Sequence, residues 1–244
     1  RSCLLEKAHP LLRSSTLYQS EHWVMNHLCV IASALALVVL ALPSLPSLAD
    51  DLALAERALG AWMRTMETDG SYGEGFHYWA YPVNCLAFAL LALGRARGRL
   101  PREAECLRGC FRWAIYNQVG RWPMSGFEHP VAVAVNAYDS PPAFQLEAPE
   151  ALLYANLFRD PLASWYIERF LLQPAARPDA LHTAWHTADS LLLALHDPDL
   201  PARSPEELCL PPARVFHDTG FVYLRDGWSG IDGERGDTVL ALLS

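Results

Sequence analysis

From Leu28 to Leu42 the chain carries no charged residue, breaks its apolar run only at Ser33, and stops against Pro43. A run of about 15 residues falls short of the roughly 20 that a helix needs to cross a bilayer. A helix apolar on nearly every side must instead be enclosed by other elements. The segment therefore calls for layered helices and enough further chain to cover it. The 244 residues, 52% apolar and 19% charged, supply that chain with a globular balance. A signal sequence starting at Met25 competes, because Pro43 to Ala49 follows the apolar core, but no Lys or Arg lies between Met25 and Leu28.

The remaining text is helical almost to its end. Asp51 to Met66 places Leu52, Leu54, Ala55, Leu59, Trp62 and Met66 at amphipathic spacing behind an acidic start. Pro82 suits the first turn of a helix running to about Gly94, and another spans Pro101 to Tyr116. Gly120 to Gln145 reads as an irregular segment long enough to be functional. Helices resume over Pro149–Leu157, Pro161–Leu172 and Leu181–Leu195. Successive helical hairpins predict a mainly α chain with an α/α toroid over residues 1–210. At Pro211-Pro212 the pattern changes: Val215–Arg225 alternates as a strand, Asp226–Gly230 turns, and Thr238–Leu243 returns. Two strands make no stable sheet alone, so residues 211–244 read as the first strands of a C-terminal antiparallel β-sandwich domain. A start at Arg1 and an end inside an apolar run suggest truncation at both termini.

A formal charge of −8, with Lys7 the sole lysine, opposes a nucleic-acid partner. Arg95, Arg97, Arg99 and Arg102 form a solvated basic face at a helix C-terminus. Cys3, Cys29, Cys85, Cys106, Cys110 and Cys209 lack the pairing of a zinc site and the density of a disulfide scaffold, so free, mostly buried thiols are expected. His182 and His186 share a helix face near Asp189, but lack a metallopeptidase glutamate between them. No metal or cofactor is assigned.

Between two of the apolar helices lies Asp69-Gly-Ser-Tyr-Gly-Glu-Gly-Phe-His-Tyr-Trp-Ala-Tyr81. Its glycines allow tight turns and close approach of a ligand, and Glu74, His77, Tyr78 and Tyr81 follow as groups able to hold or move a proton. Helix linkage with aromatic packing is the competing reading. This stretch, and Thr219-Gly-Phe-Val-Tyr-Leu-Arg-Asp-Gly-Trp228 after a helical domain, resemble the heparinase II/III-like polysaccharide lyases and the related dermatan-sulfate epimerases. The resemblance covers most of the chain from about His22 onward.

The resemblance implies catalysis by Tyr78 with a histidine or asparagine at the start of an inner helix. His22 and Asn26 match that position within Glu21–His27, and an Asn-His pair would point instead to Asn26 and His27. It further implies a histidine in the first β-sheet, beyond Leu243, which would leave the catalytic set here incomplete. The implied substrate is an acidic polysaccharide, in the periplasm or outside the cell. Tyr78 would abstract the C5 proton of a uronate, while His22 or Asn26 neutralises the carboxylate. Glu74, His77, Tyr81, His27, Trp79 and Arg121 are the expected substrate-binding residues, and Trp23, Trp122 and Tyr138 are further possible sugar platforms. A C5-epimerase would share the proton abstraction. A catalytically incomplete glycan-binding scaffold and a membrane-anchored helical protein stand as alternatives.

Overall fold

The computed structural model describes residues 2–19, 25–126, 130–135, 137, 141, 143–172, 194–231 and 238–243. The described chain is mainly helical with two small antiparallel sheets. Its helices are α1 (His9–Arg13), α2 (Asn26–Leu40), α3 (Leu48–Met63), α4 (Phe76–Arg97), α5 (Cys110–Asn117), α6 (Ala148–Phe158) and α7 (Pro161–Tyr166). The strands are β1 (Gln118–Trp122), β2 (Val131–Ala134), β3 (Ala213–Phe216), β4 (Phe221–Arg225) and β5 (Val239–Leu243).

Helix α2 lies against α3 and α4. Asn26 reaches Glu74 (3.3 Å) and Cys29 Sγ reaches the Pro82 carbonyl (3.7 Å), so α2 and α4 run in the same direction with their N-terminal ends together. Asn84 bonds to Glu147 (2.9 Å) and the Trp79 ring lies 6.1 Å from that of Tyr154, so α6 runs opposite to α4. Leu28, Cys29, Ala32, Leu35, Ala36 and Val39 are buried, and Val30, Ile31 and Leu37 on the other side of α2 are mostly covered. Apart from His27 at its start no residue of α2 is exposed, so the helix is covered on every side and most completely on the face of Cys29, Ala32 and Ala36. Helix α4 is long and apolar enough to cross a membrane by length and composition, but Trp79, Val83, Leu86 and Leu90 are packed in the protein core.

The start of α4 corrects the expected position of Pro82. Gly75 stands immediately before Phe76 with φ 90°, a conformation that side chains disfavour, and the helix begins there. Pro82 consequently lies inside α4, where its ring removes one helical hydrogen bond and favours a bend. The expected helix from Pro101 to Tyr116 is also divided, into a 3-10 segment (Arg102–Leu107) and α5, with Arg108-Gly109 between them. Gly70 packs against that break: a Cβ on it would lie 2.8 Å from the Gly109 carbonyl carbon and oxygen.

The segment expected to be irregular contains a hairpin, with β1 and β2 paired antiparallel around a register shift between Gln118 and Gly120. Val215–Arg225 is not one strand. His217–Gly220 turns it back on itself, with Gly220 at φ 74°, giving β3 and β4, and β5 pairs with the far edge of β4. Of the six thiols only Cys29 and Cys110 are buried, Cys85 is intermediate, and Cys3, Cys106 and Cys209 are exposed, contrary to the expected majority of buried thiols.

Phe216, Phe221, Tyr223 and Arg225 on one face of the three-stranded sheet are buried, and a single hydrophobic cluster joins that face to the helices across the 210/211 boundary. Tyr223 donates to Asn117 Oδ1 (2.9 Å), and Arg225 donates to the carbonyls of Gln118 (2.7 Å), Tyr116 (3.4 Å) and Gly227 (3.1 Å) beneath the Trp228 ring. The conspicuous residues of the second sequence motif are thus structural clamps. The opposite face presents Ala213, Val215, Val222, Leu224, Leu240 and Leu242 in register, all apolar, with Val215, Leu224, Leu240 and Leu242 43–50% exposed.

Candidate active site

The two motifs meet. The loop before α4 turns at Glu67–Gly70, where the Gly70 N–H donates to the Glu67 carbonyl (3.0 Å), and Asp69 Oδ1 accepts from the Ser71 N–H (3.0 Å) and hydroxyl (2.6 Å). The β3–β4 turn braces it: Asp218 Oδ2 accepts from the Thr68 hydroxyl (2.6 Å) and the Asp69 N–H (3.2 Å), Asp69 Oδ2 accepts from the Asp218 N–H (3.2 Å), and Thr219 donates to Ser71 Oγ (3.0 Å). The Thr68 hydrogen bond leads the causes that hold the Asp218 carboxyl below its ordinary range. Burial, with the charges of Asp218 and Asp69, holds Glu67 above its own.

At the other end of the loop a chain of hydrogen bonds crosses three elements. Trp62 Nε1, near the end of α3, donates to the Tyr72 hydroxyl (3.3 Å). Tyr72 donates to Glu74 Oε1 (2.8 Å), and Glu74 Oε2 accepts from Asn26 Nδ2 (3.3 Å) at the first residue of α2. Burial first, and the bond to Glu74 next, push the Tyr72 phenol far above the usual tyrosine range, so it remains a protonated donor. Asn26 is 2% exposed, and its Oδ1 is buried without a hydrogen-bond partner among the described residues.

Tyr78 stands in the first turn of α4, half-buried, with the His77 ring edge-on at 5.7 Å. His77 also packs edge-on against Phe144 at 5.0 Å. Tyr81 is 39% exposed and His27 is exposed. Arg121 lies on β1 with its Nε donating to the Pro130 carbonyl (3.4 Å), next to Trp122, which is 47% exposed. Trp79 is corrected: it is fully buried between Phe76, Trp113 and Tyr154, and therefore belongs to the core rather than to a sugar subsite. His22, Trp23, Tyr138, His182, His186 and Asp189 lie outside the described residues.

A group missed by the sequence reading lies farther along α4. Asn84 bonds to Glu147, which precedes α6, and Glu150 in the first turn of α6 is 2% exposed with Oε2 unpartnered among the described residues. Burial, then the neighbouring Glu147 charge, push the Glu150 carboxyl up to about 8. Two glutamates three apart at the head of an otherwise apolar helix were the available signal. Among the described residues, no three His, Cys, Asp or Glu side chains are grouped to hold a metal ion.

Comparison with known proteins adds no assignment: no protein-family model matches the sequence, and no curated protein matches it.

Proposed function

We propose that this chain belongs to an enzyme that cleaves uronate-containing polysaccharides by β-elimination. The observation that carries the reading is the contact between Asn26, at the head of α2, and Glu74, four residues ahead of Tyr78 in the first turn of the parallel helix α4. A polar group able to meet a carboxylate and a phenol able to move a proton are thereby delivered from the same end of two adjacent helices.

The C5 proton of a uronate is hard to remove because negative charge develops beside an existing carboxylate. Donation from Asn26 or from His22 offsets that charge; one well-placed donor contributes about 3–4 kcal/mol. Tyr78 as phenolate takes the C5 proton. The C5–H electrons form the C4=C5 bond, the C4–O bond breaks, and the proton held by Tyr78 passes to the departing oxygen. An unperturbed tyrosine titrates near pKa ~10, so cationic groups at the site must favour the phenolate.

The finer fold reading is an α/α toroid leading into a β-sandwich. The paired helices support the first, and the uncovered apolar sheet face is what a second sheet would cover. An acidic glycan substrate met in the periplasm or outside the cell completes the proposal.

The test is release of unsaturated uronate, followed by ultraviolet absorbance, from heparan, dermatan and alginate. The enzyme to which this chain belongs should release it, and Tyr78→Phe in that enzyme should lower kcat at least about 100-fold without shifting the unfolding midpoint. No product from any of these glycans would overturn the lyase reading, while solvent deuterium entering C5 without cleavage would select an epimerase.

A further inference from the structure

We propose that Glu74 is a positioning residue which, braced by Tyr72, turns the Asn26 carboxamide so that its remaining Nδ2 proton meets the acid group of the substrate. The inference rests on the lyase reading and names the residue that makes its carboxylate contact directional.

A carboxamide can occupy its site in two orientations differing by a half-turn. One presents N–H to an incoming carboxylate and the other presents oxygen lone pairs, which repel it. Nothing in the Asn26 side chain itself selects between them. Glu74 selects, because a carboxylate accepts hydrogen bonds and cannot donate them. With Glu74 Oε2 3.3 Å from Asn26, the amide must direct Nδ2 there, and the second Nδ2 proton is not used by that bond.

Glu74 is flanked by Gly73 and Gly75, and a glutamate between glycines would sample several rotamers. Tyr72 removes that freedom. Its hydroxyl donates to Glu74 Oε1 at 2.8 Å while accepting from Trp62 Nε1 at 3.3 Å, so the carboxylate is tied to α3 on one side and α2 on the other. Burial of the Tyr72 ring adds rigidity at the anchored end. The buried, unpartnered Oδ1 of Asn26 fits the same picture: the amide is held through its nitrogen even though its oxygen finds no donor among the described residues.

The experiment uses the full chain with asparagine selectively labelled in its side-chain nitrogen, the Asn26 signal being identified by its loss in Asn26→Ser. In wild type the two Nδ2 protons should be well separated in shift, with the Glu74-bound proton slow to exchange. Glu74→Gln can donate to Asn26 Oδ1 and so permits the reversed amide; Tyr72→Phe keeps the ring packing and removes only the hydroxyl. Both should collapse the separation.

On a uronate glycan, kcat should fall about 100-fold in Glu74→Gln and about 10-fold in Tyr72→Phe, with KM within about threefold of wild type, because the donor acts chiefly on charge that develops in the transition state. Unchanged Asn26 resonances in both variants would overturn the proposal, as would an active parent whose kcat is indifferent to Glu74→Gln. A parent inactive on every uronate glycan, but whose Asn26 signals respond as described, would sink the lyase reading and leave Glu74 as the group that orients Asn26.

Discussion

Replacing Gly70 by alanine tests the link between the glycine loop and the rest of the fold. Its φ of 87° lies in the left-handed region, where an L-residue costs about 1–2 kcal/mol. The added Cβ would also meet the Gly109 carbonyl carbon and oxygen at 2.8 Å. Those are backbone atoms at the head of α5, so relief requires moving a main chain, at about 1–3 kcal/mol. Alanine restricts the unfolded chain and returns about 0.4–1 kcal/mol. The net expectation is a loss of about 1–4.5 kcal/mol, centred near 3. Gly73 supplies the control in the same loop, since a Cβ there meets nothing within 4 Å and its φ lies outside the left-handed region. Gly73→Ala should therefore stay within about 1 kcal/mol of wild type. Urea unfolding at a common slope should lower the midpoint of Gly70→Ala by about 1 M. Equal midpoints for the two variants would refute the close approach of Gly70 to Gly109.

Three further outcomes follow from buried charges. Glu150 is held at about 8 while an unfolded glutamate titrates near 4.3, so between these values the native state keeps a proton that the unfolded chain has released, and stability falls as pH rises. Glu150→Gln should therefore raise the unfolding free energy from urea titration more at pH 8 than at pH 5, by on the order of 2–4 kcal/mol; an equal effect at both would refute it. Burial raises the Asp51 carboxyl, but bonds from Ser47 (2.5 Å), His9 (2.7 Å) and Arg13 (2.5 Å) outweigh it and hold the group below its usual range. Its contribution is present above about pH 4 and is lost as pH falls through the lower folded value, so Asp51→Asn should cost about 2–4 kcal/mol at pH 7, with the gap to wild type closing in acid. Arg225→Met should cost about 2–4 kcal/mol in thermal or urea unfolding, because the carbonyls of Tyr116, Gln118 and Gly227 lose a shared donor.

The helices were legible because their signals are local. Apolar spacing over Asp51–Met66 and Pro149–Leu157 describes one face of a helix whatever surrounds it, and α3 (Leu48–Met63) and α6 (Ala148–Phe158) lie within a few residues of those limits. Gly75 shows where local reading stops. Proline at position 82 satisfies a first-turn rule, but the true start at Phe76 follows a left-handed glycine at position 75. The β1–β2 hairpin was hidden for a similar reason, since Val131–Ala134 is too short to announce a strand without the partner that satisfies its backbone groups.

By itself the sequence determined the helical character of the chain, the β character of its last residues, a net negative charge carried with a single lysine, and Tyr78, Asn26 and Glu74 as groups able to act in chemistry. Spacing, charge and turn chemistry act over a few residues and survive without a fold. Only the tertiary structure decided that the Asp69 loop is braced by Asp218, that Trp79 is core, that Arg225 clamps sheet to helix, and that Glu74 reaches Asn26. Each of these joins side chains far apart in the chain, and a hydrogen bond or a desolvated charge has no energy until folding brings both partners to the same place.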